Sequence, residues 1–203
     1  MHRRRRLWFC GLVVSVLMAA LPALPASAAT VRFGAKLTRH TQPTPRETCQ
    51  QDTGGPSGTT CTWVAVEAFE NGGHERAPKD GRIGKVRIIT CISGYFYPQV
   101  ARAKPGQDKA RVVYTGPRLD YRKDTQSGGC GGPDGDNYRI QSFTVNMPVK
   151  KGDYIAVKGP KVAFIHNSSS GDALVFRPAL ATGGSYRTTD DSTGGLLIQY
   201  QYK

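Results

Sequence analysis

Past residue 28 the chain has no stretch with a sustained helical period and a capping pattern, which argues against a helical bundle or a helix-covered parallel sheet. No two cysteines stand in a CxxC spacing and the histidines His40, His74 and His166 lie far apart, so no metal-ligand set is expected. A GxSxG elbow is also missing, and with it the most legible form of nucleophilic catalysis. Beyond the leader only Glu47, Glu67, Glu70 and Glu75 are glutamates, and most aspartates stand in turn contexts such as Lys79-Asp80-Gly81 and Gly152-Asp153. Glycoside hydrolysis needs two carboxylates across one cleft, yet the nearest pair, Glu67 and Glu70, would point to opposite faces of a strand. A protein that is not an enzyme and carries no cofactor is the expectation. Beyond the leader no run of Lys or Arg exceeds two, and Arg82, Lys85, Arg87, Arg111 and Lys150 fall on several strands, so a nucleic-acid partner is not expected.

What is present begins with residues 1–28: Arg3 to Arg6, an apolar run over residues 7–24, and the small triplet Ala26-Ser27-Ala28. That order reads as a cleavable secretory signal peptide, and Pro22 and Pro25 ahead of the triplet argue against an uncleaved anchor. Residues 29–203 are then expected to form one secreted domain, long enough for a real core and with no integral membrane segment. Without the leader the chain keeps 24 Lys+Arg against 15 Asp+Glu, a net charge of +9 that suits solubility and favours anionic partners. Four cysteines remain, Cys49, Cys61, Cys91 and Cys130, and an even number in an exported chain implies two disulfides. Of the three possible pairings, Cys49 with Cys61 and Cys91 with Cys130 is favoured, because the first closes only the turn-rich QQDTGGPSGTT. Each closure is worth about 3 kcal/mol, mainly through the unfolded chain.

The clearest structural signal is residues 138–159, YRIQSFTVNMPVKKGDYIAVKG. Phe143, Val145, Met147 and Val149 alternate with polar neighbours, Lys150-Lys151-Gly152-Asp153 interrupts, and Ile155 and Val157 resume, which predicts two half-buried strands joined by a tight connection. Residues 30–38, 61–69, 82–92, 95–103, 110–115, 161–166, 173–177 and 196–202 supply further candidates, with 95–103 and 110–115 forming a hairpin. In 61–69 both faces are partly apolar, so this strand sits centrally or turns helical at its end. The polar, glycine-rich residues 117–137 read as a surface excursion. Nine or so short strands with breakers about every eight to twelve residues predict an all-β antiparallel sandwich, of jelly-roll type.

The segment APKDGRIGKVRII, with FTVNMPVKKGDYIAV and a final strand, resembles a group of secreted actinobacterial-type jelly-roll proteins of unassigned function. More distantly, the KKGDYIAV turn is similar to one in tumour necrosis factor-like and complement-type trimeric jelly rolls and in carbohydrate-binding modules of that architecture. The resemblance implies a fold and leaves the activity open.

Two constellations carry candidate chemistry. Asp134, Asp136 and Asn137 present oxygen ligands in one loop, a composition that suits calcium but also an ordinary turn. Tyr95 and Tyr97 share one face of a strand, and with Arg102 and Lys104 they form the candidate ligand surface, aromatic for stacking and basic for anions. The expectation is a non-catalytic binding or surface-associated module for a glycan or anionic cell-envelope polymer. A structural homo-oligomer and an uncharacterised hydrolase are the alternatives.

Overall fold

In the computed structural model the described residues are 30–38, 43, 47–49, 59–67, 74–123, 138–166 and 171–203. The leader over residues 1–28, Cys130, and the calcium candidates Asp134, Asp136 and Asn137 lie outside them. The strands in chain order are β1 (Arg32–Gly34), β2 (Glu47–Thr48), β3 (Cys61–Glu67), β4 (Gly81–Ile89), β5 (Gly94–Lys104), β6 (Lys109–Thr115), β7 (Leu119–Tyr121) and β8 (Ile140–Val149). They continue with β9 (Tyr154–Gly159), β10 (Lys161–Val162), β11 (Ile165–His166), β12 (Asp172–Phe176), β13 (Arg187–Thr188), β14 (Asp191–Leu196) and β15 (Ile198–Tyr202).

Among the described residues a small sheet has the order β1-β15-β4-β8, and a large one runs β11-β14-β12-β3-β9-β5-β6-β13 with β7 on β5. All paired strands are antiparallel. The all-β, two-layer expectation therefore holds. Period-two alternation explains the layers: Phe33, Ile83, Val86, Met147, Ile198 and Tyr200 from the small sheet meet Trp63, Phe96, Val100, Ile155 and Val157 from the large one in a single core. Phe96 is its aromatic centre, with ring centroids 5.1 Å from Phe164 and 6.1 Å from Tyr121 and Phe143. The buried Tyr200 hydroxyl crosses the core and donates to the Gln99 and Ala156 carbonyls at 2.9 and 3.0 Å, tying β15 to β5 and β9.

The central alternative for residues 61–69 is the one found, since β3 lies between β12 and β9. Its alternate side chains Val64 and Val66 face outward into a second apolar cluster with Ala101, Val112, Tyr154, Ala156, Leu174, Phe176 and Leu180. The chain between β12 and β14 covers that cluster. Ala179 N–H donates to the Thr60 carbonyl at 2.8 Å, Leu180 N–H to Thr62 Oγ1 at 3.0 Å, and Gly183 N–H to the Val112 carbonyl at 2.9 Å.

Several expectations are corrected. The two strands predicted over residues 138–159 are present as β8 and β9, but β9 is buried on both faces and not half-buried, because the strands lie in different sheets: β8 pairs β4 in the small one, while β9 lies between β3 and β5 in the large one. Alternation specifies which side chains are buried and says nothing of the neighbour. The connection is instead docked on Ala77, whose N–H donates to the Asp153 carbonyl at 2.8 Å and whose carbonyl accepts from Gly152 N–H at 2.9 Å, with Gly152 at φ +84°. Residues 30–38 form a strand only over Arg32–Gly34, since Gly34 turns to φ +99°. Residues 161–166 split into β10 and β11. The polar DSTGGL of β14, which apart from Leu196 falls outside the strand candidates, is a strand because it pairs with β11 and β12.

Cys49 and Cys61 form a disulfide with Cα atoms 5.5 Å apart, and the polar loop between them is closed as expected. The second bridge is corrected to this extent: Cys91 is disulfide-bonded, but its partner falls outside the described residues, so the pairing with Cys130 is not established. The bridge between Cys49 and Cys61 fits a non-cytoplasmic compartment. No described helix is long and apolar enough to cross a membrane.

Candidate functional site

The site is built on the outward side of the large sheet where the covering segment stops. Phe96 points into the core, so Tyr95 and Tyr97 on either side of it point outward, half-buried. Tyr95 lies opposite Asp120 of β7, and Tyr97 opposite Lys158 of β9. The two rings stand perpendicular, with centroids 6.2 Å apart. The Arg118 guanidinium covers Tyr95 at 3.9 Å, and its Nε and Nη2 donate to Asp120 Oδ1 at 3.1 and 2.8 Å. That hydrogen bond raises the Arg118 pKa above its ordinary value. The Lys158 ammonium stands 5.9 Å from the Tyr97 centroid.

One boundary of this shelf is polar and ordered. Thr62 Oγ1 donates to Gln99 Oε1 at 3.0 Å, Gln99 Nε2 donates to Thr115 Oγ1 at 2.9 Å, and Thr115 and Thr182 share a 2.6 Å hydroxyl contact. The covering segment crosses β3, β5 and β6 at that level, leaving Tyr97, Tyr95 and Lys158 on its open side. Chemically the shelf offers the half-buried ring of Tyr97, with the Lys158 ammonium 5.9 Å from its centroid, beside an exposed Arg118–Asp120 pair whose donors and acceptors suit vicinal hydroxyls.

The predicted quartet is not gathered in one place. Lys104 stands seven residues beyond Tyr97 on β5, about 23 Å at strand rise. Its ammonium and the Arg111 guanidinium flank Tyr186 at 4.8 and 5.1 Å. Arg102 is engaged structurally: its Nε donates to Asp153 Oδ1 at 3.1 Å, and the other oxygen of that buried carboxylate accepts from Lys150 N–H at 2.8 Å. Sequence reasoning missed Arg118, Asp120 and Lys158. The first two sit in residues 117–137, read as a surface excursion, although Leu119 and Tyr121 alternating about Asp120 was a strand signal there.

Among the described residues no group of three or more His, Cys, Asp or Glu gathers. Glu70 lies outside them, but Glu67 faces Asp172 across the β3–β12 ladder. Burial, and then the charges of Glu67 and Asp108, push the Asp172 pKa up, while a backbone hydrogen bond at Ala173 opposes the rise. No protein-family model, curated protein or solved structure matches the chain.

Proposed function

We propose that the protein is a secreted, non-catalytic binding module for an extracellular glycan or anionic envelope polymer, with a hydroxylated chain lying on the Tyr97 shelf. The observation that carries this reading is the perpendicular Tyr95–Tyr97 pair beside the exposed Arg118–Asp120 ion pair. Aromatic faces gain from apolar sugar surfaces, and a carboxylate paired with a guanidinium hydrogen-bonds the hydroxyls at their rim. The test is depletion of the protein by insoluble glycans and isolated cell wall. Tyr97→Ala should weaken retention about tenfold, the effect of one lost aromatic stack. Unchanged retention by that variant removes the shelf from the reading.

We infer further that the sandwich is a jelly roll akin to the secreted group it resembles. Eight strands taken in chain order, β1, β3, β4, β5, β6, β8, β9 and β15, support this. Their pairs β1 with β15, β3 with β9, β4 with β8 and β5 with β6 are those of one long antiparallel hairpin. Its rolled-up contacts are β15 with β4 and β9 with β5. Strands β10 to β14 are then an insertion before the last strand.

The hydrolase alternative has one observation in its favour, the Glu67 and Asp172 carboxylates opposite each other. Release of reducing ends that is lost in Asp172→Asn would favour it over the binding reading. Homo-oligomeric packing finds less support, because Tyr186 is the only large hydrophobic side chain exposed among the described residues.

A further inference from the structure

The small sheet turns a second, different surface to solvent. By alternation, with a register shift between Ile83 and Lys85 that puts Arg82 on the same face as Lys85, its outward positions are Arg32 on β1, Gln199 and Gln201 on β15, Arg82, Lys85 and Arg87 on β4, and Ser142, Thr144, Asn146 and Pro148 on β8. No Asp or Glu stands on these strands, and none of the four cations makes an ion pair among the described residues. Their polar partners are neutral: Arg82 Nε donates to Asn146 Oδ1 at 2.7 Å, and Arg87 Nη1 to Gln199 Oε1 at 2.5 Å. Such bonds orient a guanidinium and leave its charge uncompensated. Arg87 carries the mark of this: burial first, and then repulsion from Arg32, lower its pKa. At one end the face opens into a cleft of about 500 Å³ whose lining includes Lys79, Lys85 and Lys203 with Thr30, Thr144 and Gln201, and again no carboxylate.

We infer that this face binds a linear, hydroxyl-rich polyanion, with its cations on successive anionic groups and the cleft holding one of them. The cations are spread out and do not converge. Lys85 and Arg87 are two residues apart on one strand, about 7 Å, and Arg32 lies two strands away, about 10 Å. A small anion would be met by groups aimed at one point, whereas a repeating chain suits spaced cations. Amide and hydroxyl side chains fill the intervals, which is the chemistry that recognises polyols. Aromatic rings for stacking bases are missing from the outward positions of these strands, and Pro148 is their one exposed apolar side chain, too little to enter a lipid surface. The surface lies on the opposite sheet from the Tyr97 shelf and does not depend on it.

The experiment is calorimetric titration with polygalacturonate, dextran sulfate and poly(glycerol phosphate), with neutral dextran as control, at low and moderate NaCl. Binding of at least one polyanion is expected, weakening as salt rises, and the polymer preferred identifies the anionic group. Arg32→Gln with Lys85→Gln should lower that affinity by about tenfold or more and flatten the salt slope by close to two charges. Lys104→Gln with Lys109→Gln removes the same charge from the β5–β6 hairpin of the large sheet and should change affinity less than about twofold. The loss and the flatter salt slope caused by Arg32→Gln with Lys85→Gln should be the same in a Tyr97→Ala background, whatever that change does to retention at the shelf, so failure of the shelf and failure of this face are told apart. Because Arg32 and Arg87 repel, Arg32→Gln should melt no lower than the parent, which rules out unfolding as the cause of lost binding. Equal losses in the two double variants, no binding to any polyanion at low salt, or binding confined to anionic lipid vesicles would each overturn the proposal.

Discussion

The two sheets treat their outward faces in opposite ways. On the large sheet that face is apolar over much of its area, with Val64, Val112, Leu174 and Phe176, and the chain between β12 and β14 lies across it and buries Leu180 there. Among the described residues the small sheet has no such cover, and its outward positions are Arg, Lys, Gln, Ser, Thr and Asn, with Pro148 at the end of β8. The difference teaches that the chain between β12 and β14 adds a cover to one side of the two layers, while among the described residues the other side is left to solvent. The face that is covered holds the fold together, and the bare one keeps charges whose mutual repulsion serves no structural end.

The largest test of this contrast is to spoil the cover. Leu180→Asp puts a carboxylate among apolar side chains and should cost about 3–4 kcal/mol in urea unfolding, while Thr144→Ala on the bare face should stay within about 0.5 kcal/mol. If the two variants lose equally, the segment is not a structural layer.

A smaller effect is expected where β5 and β7 meet. A Cβ on Gly94 would clash with the hydroxyl end of the Tyr121 ring, so Gly94→Ala should destabilise by about 1–3 kcal/mol. That hydroxyl is buried with no hydrogen-bond partner among the described residues. Tyr121→Phe should therefore be near neutral alone and should recover much of the loss in the double variant, measured by the same unfolding curves.

Alkaline titration sharpens the same point. Burial pushes the Tyr121 pKa from 10.0 up to about 12. A raised folded-state value means that its share of stability is complete below pH 10 and fades between pH 10 and about 12, as the unfolded phenol ionises first. The loss is about 3 kcal/mol at most, two pH units at roughly 1.4 each. Tyr200, raised by burial against the opposing hydrogen bond to Gln99, acts in the same direction, so Tyr121→Phe should remove only part of the alkaline decline followed by circular dichroism. The smallest effect belongs to the bare face. Relief of the repulsion from Arg87 should make Arg32→Gln more stable by a few tenths of a kcal/mol at low salt, and that gain should vanish as salt rises.

Much of the architecture was legible because alternation writes burial directly into the residue order. It placed Phe143, Val145, Met147 and Val149 on one side of β8, found the β5–β6 hairpin, and marked β3 as apolar on both faces. Strands without that signature were missed: β14 is polar and glycine-rich and exists because β12 and β11 offer it backbone partners. The aromatic half of the candidate site was visible as Tyr95 and Tyr97, two apart on one strand. Its other half was not, since Arg118 and Lys158 arrive beside those rings through β7 and β9, and spacing along the chain cannot show which strands adjoin. The basic face was missed for the same reason. Arg82, Lys85 and Arg87 share one predicted strand, but together with Arg111 and Lys150 they counted as spread over several, and Arg32 joins them only because β15 lies between β1 and β4.

The residue order alone determined that the chain folds into antiparallel layers, which side chains face inward, and that Cys49 can close on Cys61 across a polar loop, because each depends on neighbours a few positions away. Which strand lies beside which, and so which cations share a surface and which apolar patch is covered, was decided only in the tertiary structure. Strand pairing is set by long-range packing and by how connections such as Lys150 to Asp153 dock, and no local pattern carries that information.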